Sequence, residues 1–201
     1  MERDSIRAAF DEWTRGRDEM AARIALFERV RDLPYRYPAS RDPLEVLRSG
    51  GGSCSGKHYL LGELYRLLGL KVRHMMCTHR FNESPLPFPD EMQALLIKNE
   101  IADVHDYLQI AVGDEWIDVD VTWELGLREF GFPVTDEWDG LSSMLLTVSP
   151  DEHSKVEGDP AKVKDEMLAR LTPRQRALRK QFLEALSKWV GELSAELGRE
   201  R

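Results

Sequence analysis

The sequence predicts an α+β fold, with helices at both ends of the chain and a β-sheet between them. Apolar residues recur every three or four positions near each end, which is the spacing of an amphipathic helix, whereas the middle of the chain holds strand-like runs. The 201 residues are 42% hydrophobic and 32% charged, as in an ordinary globular protein. We expect one domain over 1–201, with a core at about 25–150, an N-terminal helix at 1–31 and C-terminal helices at 159–200.

The two terminal segments each carry one apolar stripe. The first stripe predicts a single helix over 5–31, which the Leu33-Pro34 pair ends. Asp159-Pro160 and Thr172-Pro173 are typical helix starts and predict two helices near the end of the sequence. We interpret both stripes as core-facing, and the alternative is a homodimer that pairs the terminal helices of two copies. The stripe residues are Ile6, Phe10, Trp13, Met20, Ile24 and Phe27 in the first segment and Leu178, Phe182, Leu186, Trp189, Leu193 and Leu197 in the last.

The middle of the chain predicts two helices and four strands. A short helical turn is expected at about 43–47, and a longer helix begins at Cys54 and ends before Gly69, a residue common just after a helix. Three prolines at alternate positions within 84–89 make that stretch a loop. The predicted strands are 70–81, 105–112, 115–122 and 143–149.

Charge and composition exclude several classes of function. The formal net charge is −8, and no basic run with interleaved aromatic residues occurs, so we expect no binding to nucleic acid. No run approaches the roughly 18 apolar residues of a membrane helix, so we expect no membrane partner. The first residues do not resemble a secretory signal, which predicts a cytoplasmic protein. Two cysteines are too few for a disulfide scaffold and are expected to stay as thiols.

Cys54 follows three glycines and Ser53 and opens a predicted helix. The partial positive charge at a helix start favours a thiolate. The glycines would let a substrate carbonyl approach the backbone, whose N–H groups can stabilise an oxyanion. The pattern therefore predicts a nucleophile, and the alternative is a glycine-rich turn that only starts a helix.

The predicted hairpin provides a partner for such a thiol. If Gly113 and Asp114 form a two-residue turn, Tyr107 lies opposite Asp120, and His105 is a diagonal neighbour of Asp120 at roughly 7–8 Å between backbones. Asp118 lies further from His105 in this register and is the rival for the carboxylate role. An imidazole held by a carboxylate is what a cysteine nucleophile requires for proton transfer. The alternative is a half-buried sheet whose polar side chains face solvent.

These segments resemble the transglutaminase-like superfamily, whose members share a papain-like fold. The resemblance covers about residues 25–125. The residues that carry it are Gly52-Ser53-Cys54-Ser55-Gly56-Lys57 and Leu68-Gly69-Leu70-Lys71-Val72-Arg73, similar to the family's nucleophile helix and following strand, and His105 with Trp116-Ile117-Asp118-Val119-Asp120-Val121-Thr122, similar to its histidine and aspartate strands. Two positions depart from the family pattern: Asp106 is acidic, and Val121 stands where a proline is common.

The resemblance implies a papain-like core in which a nucleophile helix packs on an antiparallel sheet. It implies Cys54 as nucleophile, His105 as base and Asp120 as the orienting carboxylate. We expect hydrolysis of a peptide or amide bond through a thioester, with a peptide, a protein or a small amide as substrate. The alternatives are an inactive transglutaminase-like module that binds a peptide, and acyl transfer like that of arylamine N-acetyltransferases.

Other polar and aromatic residues are candidates for supporting roles. Tyr35, Tyr37 and Trp123 are candidates to line a substrate groove or to supply a second oxyanion donor. His58, one helical turn after the thiol, either tunes it or packs in the structure. We expect no cofactor and no metal site, because on a strand His74 points to the opposite face from the other two candidate ligands, Cys77 and His79.

Overall fold

The structure, a computed structural model, describes residues 2–199 as an α+β fold. A four-stranded antiparallel sheet lies in the middle of the chain, and helices precede, interrupt and follow it. The helices are α1 (Glu2–Trp13), α2 (Glu19–Arg31), α3 (Pro43–Ser49), α4 (Cys54–Leu67), α5 (Asp90–Lys98), α6 (Pro160–Ala169) and α7 (Pro173–Arg199). The strands are β1 (Val72–Arg80), β2 (Ala102–Val112), β3 (Glu115–Val119) and β4 (Glu152–Lys155), and short 3₁₀ turns cover Phe81–Glu83 and Leu125–Phe130.

The sheet has the strand order β3-β2-β1-β4. Strand β2 is therefore central, and β1 pairs with it along its whole length, from Val72 opposite Ile110 to Arg80 opposite Ala102. Helix α4 packs against the face of β2 that carries Leu108 and Ile110. The predicted fold class, with a helix packed on an antiparallel sheet, is confirmed.

The hairpin between β2 and β3 has the predicted register. Leu108 pairs with Val119 and Gln109 with Asp118, and the two-residue turn contains Gly113 at a φ of 58°. Such a φ belongs to the left-handed region that glycine adopts without a steric penalty. Because the turn fixes the register, it also fixes which carboxylate comes nearest to His105.

The prediction of a single helix over 5–31 is wrong. The chain leaves the helical conformation after Trp13 and passes through Gly16 at a φ of 72°. A new helix then begins after Asp18, whose carboxylate accepts a hydrogen bond from the Ala21 N–H at 2.8 Å. Asp18 is thus an N-cap in the middle of the apolar stripe, and it starts α2.

The prediction of a strand at 143–149 is also wrong. Hydrogen bonds tie this segment to the end of β3: the Met144 N–H donates to the Asp118 carbonyl, and the Thr147 N–H donates to the Asp120 carboxylate. One of these bonds goes to a side chain and the other to the end of a strand, so they do not form the regular backbone pairing of a β-strand. The fourth strand is β4 instead, which pairs with the edge of β1. Helix α5 was not predicted.

Two large clusters of buried residues form the core. The first lies between α1, α2, α4 and the sheet. The second joins α7 to the segment between Phe81 and Phe132. The apolar stripe of α7 faces this second cluster through Phe182 and Leu186, as expected for a core-facing helix, and the homodimer stays a prediction. Within 2–199, no helix combines the length and the apolar character needed to cross a membrane.

Candidate active site

Cys54 is the first residue of α4 and is half-buried. Ser53 is the N-cap and accepts a hydrogen bond from the Gly56 N–H at 3.4 Å. The preceding glycines have structural uses: Gly50 ends α3 at a φ of 63°, and Gly52 exchanges backbone hydrogen bonds with Pro34 and Arg36. The thiol therefore stands at the N-terminus of a fourteen-residue helix, and backbone hydrogen bonds hold the segment that precedes it.

His105 and Asp120 lie next to each other at the end of the hairpin. His105 Nε2 donates to Asp120 Oδ2 at 2.8 Å, and both side chains are buried. Thr122 donates to the other carboxylate oxygen through its N–H at 3.0 Å and its hydroxyl at 2.6 Å. Thr147 adds two more donors to Oδ2. Although burial alone raises the pKa of Asp120, His105 lowers it well below its ordinary value, so the carboxylate is charged.

The imidazole of His105 connects this carboxylate to the thiol. Since Nε2 is bound to Asp120, Nδ1 is the ring nitrogen that remains available to the thiol. Burial lowers the pKa of His105, but Asp120 and Cys54 together raise it well above its usual value. Burial raises the pKa of the Cys54 thiol, while Lys164 and His105 lower it below its usual value. The surroundings thus favour a thiolate beside an imidazolium.

Asp118, the rival carboxylate, is occupied elsewhere. Its Oδ1 accepts a hydrogen bond at 3.0 Å from the side chain of Gln109, the residue opposite it in the register. The structure therefore brings Cys54, His105 and Asp120 together and leaves Asp118 outside the group.

His58 links the nucleophile helix to the strand that carries the aspartate. Its Nδ1 donates to the Cys54 carbonyl at 2.7 Å, and its Nε2 accepts from the Val121 N–H at 3.0 Å. The same Nε2 lies 3.4 Å from Asp120 Oδ1. His58 is fully buried and fixes the start of α4 relative to Asp120.

Lys164 of α6 is a member of the site that sequence reasoning missed. Its Nζ lies 4.0 Å from the Cys54 sulfur, donates to Ser55 Oγ at 2.8 Å and forms a salt bridge with Asp106. Asp106 was the acidic departure from the family pattern, and it shares the core-facing side of β2 with Leu108. An acidic residue at a buried position requires a partner, and this was the available signal. Nothing in the sequence indicated that Lys164 is that partner.

Comparison with known proteins identifies the family. The sequence model of the transglutaminase-like superfamily matches residues 7–121. The chain belongs to this superfamily. It is also 33% identical over 114 residues to the N-malonyltransferase FDB2 of Gibberella moniliformis, in a match that covers 50% of this chain and 30% of that protein. The same values hold for the protein of that name in strain M3125 / FGSC 7600.

The chain is thus matched to less than a third of the length of these curated relatives. A solved structure of a proposed cysteine protease from Cytophaga hutchinsonii is 15% identical, with a TM-score of 0.45, and the match covers 79% of this chain and 53% of that one. The superfamily match includes Cys54, His105 and Asp120 and ends before α6, so Lys164 lies outside it.

Tyr35, Tyr37 and Trp123 are the remaining predicted site residues. Tyr35 and Trp123 are buried against each other, with ring centroids 4.8 Å apart, and Tyr37 is half-buried beneath the Arg179 guanidinium. Within the described part of the chain, the buried Trp123 Nε1 has no hydrogen-bond partner. Contact of these side chains with a substrate stays a prediction. Among residues 2–199, no group of three or more His, Cys, Asp or Glu side chains is arranged to hold a metal ion.

Proposed function

We propose that the chain is a cysteine-dependent acyl-transfer enzyme that hydrolyses a peptide or amide bond through Cys54, His105 and Asp120. The observation that carries this proposal is the half-buried thiol at the start of α4, next to an imidazole whose other nitrogen is held by a buried carboxylate. This arrangement is the one that nucleophilic catalysis by cysteine requires.

The reaction follows from the protonation states of these groups. The Cys54 thiolate attacks the substrate carbonyl carbon, and the imidazolium of His105 gives its proton to the leaving amine as the C–N bond breaks. A thioester on Cys54 results. His105, now neutral, takes a proton from water, whose oxygen attacks the thioester, and the acid leaves as the thiolate re-forms. Asp120 keeps the imidazole in one orientation throughout.

The start of α4 also supplies the stabilisation of the oxyanion. The first N–H groups of a helix have no partner within it, and they point towards its N-terminal end. A carbonyl oxygen bound beside Cys54 would accept hydrogen bonds from these groups as negative charge develops on it. Such donors typically contribute about 2.7–4 kcal/mol each to the barrier reduction.

Acyl transfer to an amine is the second candidate. It is favoured by the likeness to an N-malonyltransferase over half of this chain. The two functions share the thioester on Cys54 and differ only in whether water or an amine resolves it. The acceptor, rather than the nucleophile, therefore separates them.

One experiment tests the thioester directly. The protein is incubated with p-nitrophenyl acetate, and its intact mass is followed over time. We expect one acetyl group on the wild type and on the Cys77→Ala control, and none on Cys54→Ala. Faster loss of that acetyl group when an arylamine is added would favour transfer, whereas loss unaffected by the amine would favour hydrolysis. A wild type that gains no more acetyl than Cys54→Ala would contradict both functions and favour a peptide-binding module.

A further inference from the structure

We propose that Lys164 is a positioning residue whose positive charge acts on the Cys54 sulfur, and that the negative charge of Asp106 opposes this effect. Helix α6 is therefore part of the reactive site. The inference rests on the proposed function, because it concerns how the nucleophile of that function is prepared. It starts from the position of the Lys164 ammonium, 4.0 Å from the sulfur and almost completely buried.

The Lys164–Asp106 pair is a fully hydrogen-bonded unit. Ser55 Oγ donates to Asp106 Oδ2 at 2.7 Å and accepts from Lys164 at 2.8 Å, while the Tyr59 hydroxyl donates to Asp106 Oδ1 at 3.0 Å. The two charged side chains are only 3% and 2% exposed. A buried ion pair with all its oxygens occupied stays charged and holds one geometry. Both charges are therefore fixed relative to the thiol.

The two charges act on Cys54 in opposite directions. Asp106 Oδ2 is 3.9 Å from the sulfur, almost as close as Lys164 Nζ at 4.0 Å. The carboxylate spreads its charge over two oxygens, one of which faces away towards Tyr59, whereas an ammonium is a compact point charge. Lys164 therefore has the larger effect, consistent with a net lowering of the pKa of Cys54.

Other ionisable groups surround the thiol but are differently engaged. Arg179 of α7 is bound at 2.5 Å to Asp103 on β2, so its charge is compensated there. The remaining groups that interact with Cys54 electrostatically are His105, Tyr35, Lys57, Tyr59 and Cys77. His105 is held by Asp120, and the charge of Lys164 is the largest single influence that lowers the pKa of the thiol.

The chain offers a matched control on the neighbouring residue. Asp165 forms a surface ion pair with Arg41 at 2.7 Å, and its side chain is 68% exposed. Asp165→Asn weakens the attachment of α6 without changing a charge next to the sulfur. If Lys164 only docks the helix, Asp165→Asn and Lys164→Met should have effects of the same kind.

The test is the pH dependence of alkylation of Cys54 by iodoacetamide, read by peptide mass spectrometry. We expect Lys164→Met to move the midpoint up by about one pH unit and Asp106→Asn to move it down, since a charge within 4–6 Å shifts a pKa by about 1–3 units. The double variant, which replaces the ion pair by two neutral side chains, should lie between them. Asp165→Asn should leave the midpoint unchanged. Circular dichroism and thermal melts verify that each variant is folded.

Opposite shifts for Lys164→Met and Asp106→Asn are the signature of charge, because structural damage would move both in one direction. Shifts of the two midpoints in the same direction would overturn the proposal. So would a midpoint that is unchanged in folded Lys164→Met, or a midpoint of the double variant that equals that of Asp106→Asn. Alkylation requires no substrate, so that outcome would leave the acetylation result standing. Conversely, a wild type that forms no thioester but shows opposite shifts would overturn only the proposed function.

Discussion

Cys54 and Cys77 are the same side chain in two different electrostatic environments. Cys54 lies at a helix start beside His105 and Lys164, whereas Cys77 is completely buried in β1 among Met75 and Tyr107. Burial raises the pKa of Cys77 to about 11, while that of Cys54 is lowered. The difference in reactivity between the two thiols therefore follows from their surroundings.

We expect Cys54 to react with iodoacetamide at pH 7 at least about tenfold faster than Cys77, because the lowered pKa of Cys54 gives it a larger thiolate fraction than Cys77, whose pKa is raised to about 11. Peptide mass spectrometry of the wild type gives both rates in one sample. Denaturation in urea should make the two rates similar, since it removes both environments. Equal rates in the folded protein would contradict the assignment of Cys54 as nucleophile.

The carboxylates of Asp118, in β3, and of Asp120, just after it, give a second prediction. Asp120→Asn should lower kcat by about four orders of magnitude, as removal of the orienting carboxylate does in hydrolase triads. Asp118→Asn is the matched control and should cost far less, because Asp118 binds Gln109 rather than His105. Asp120→Asn also turns an amide towards the donors of Thr122 and Thr147, so thermal melts should accompany the kinetics. The reverse order of effects would exchange the roles of the two aspartates.

At the scale of elements, the sequence predicted what local geometry determines. The hairpin register followed from a two-residue turn, and the start of α4 followed from Ser53 and the apolar spacing after Cys54. The break between α1 and α2 was missed because the stripe continues across Gly16. Lys164 was missed because a lysine in a charged helix carries no local sign of its distant partner Asp106.

The packing of α4 on the preceding segment gives a prediction at this scale. A Cβ at Gly56 would lie 2.7 Å from both the Ser40 carbonyl oxygen and a Val46 methyl carbon. Gly56→Ala should therefore lower the free energy of unfolding by about 1–3 kcal/mol, the usual cost of overpacking. Gly191→Ala in α7 is the control: with nothing within 4 Å, it should raise that free energy by up to about 1 kcal/mol. Urea unfolding measures both, and equal effects would contradict the close packing.

At the scale of the whole molecule, α7 closes the second core cluster. Phe182 is completely buried, with ring centroids 4.5 Å from Phe81 and 5.3 Å from Phe88. Through Arg179 the same helix is also bound to Asp103, two residues from His105. The helices that follow the superfamily match are thus integral to the fold around β2.

We expect Phe182→Ala to lower the free energy of unfolding by about 3–5 kcal/mol, the usual cost of removing a buried phenylalanine. Lys180→Ala on the same helix, whose side chain is 68% exposed, should change it by less than about 0.5 kcal/mol. Chemical denaturation followed by fluorescence measures both. A small effect of Phe182→Ala would show that α7 does not support the core.

The 110 residues that separate Cys54 from Lys164 have a consequence for the synthesis of the protein. Loop closure over such a distance adds little free energy, because each doubling of loop length costs only about 0.6 kcal/mol. The constraint is the order of synthesis, since α6 must leave the ribosome before the Lys164 ammonium can reach the Cys54 sulfur. A chain whose synthesis has not yet reached α6 therefore lacks the Lys164 charge beside Cys54, and the full electrostatic environment of the nucleophile arises only after α6 has folded against β2.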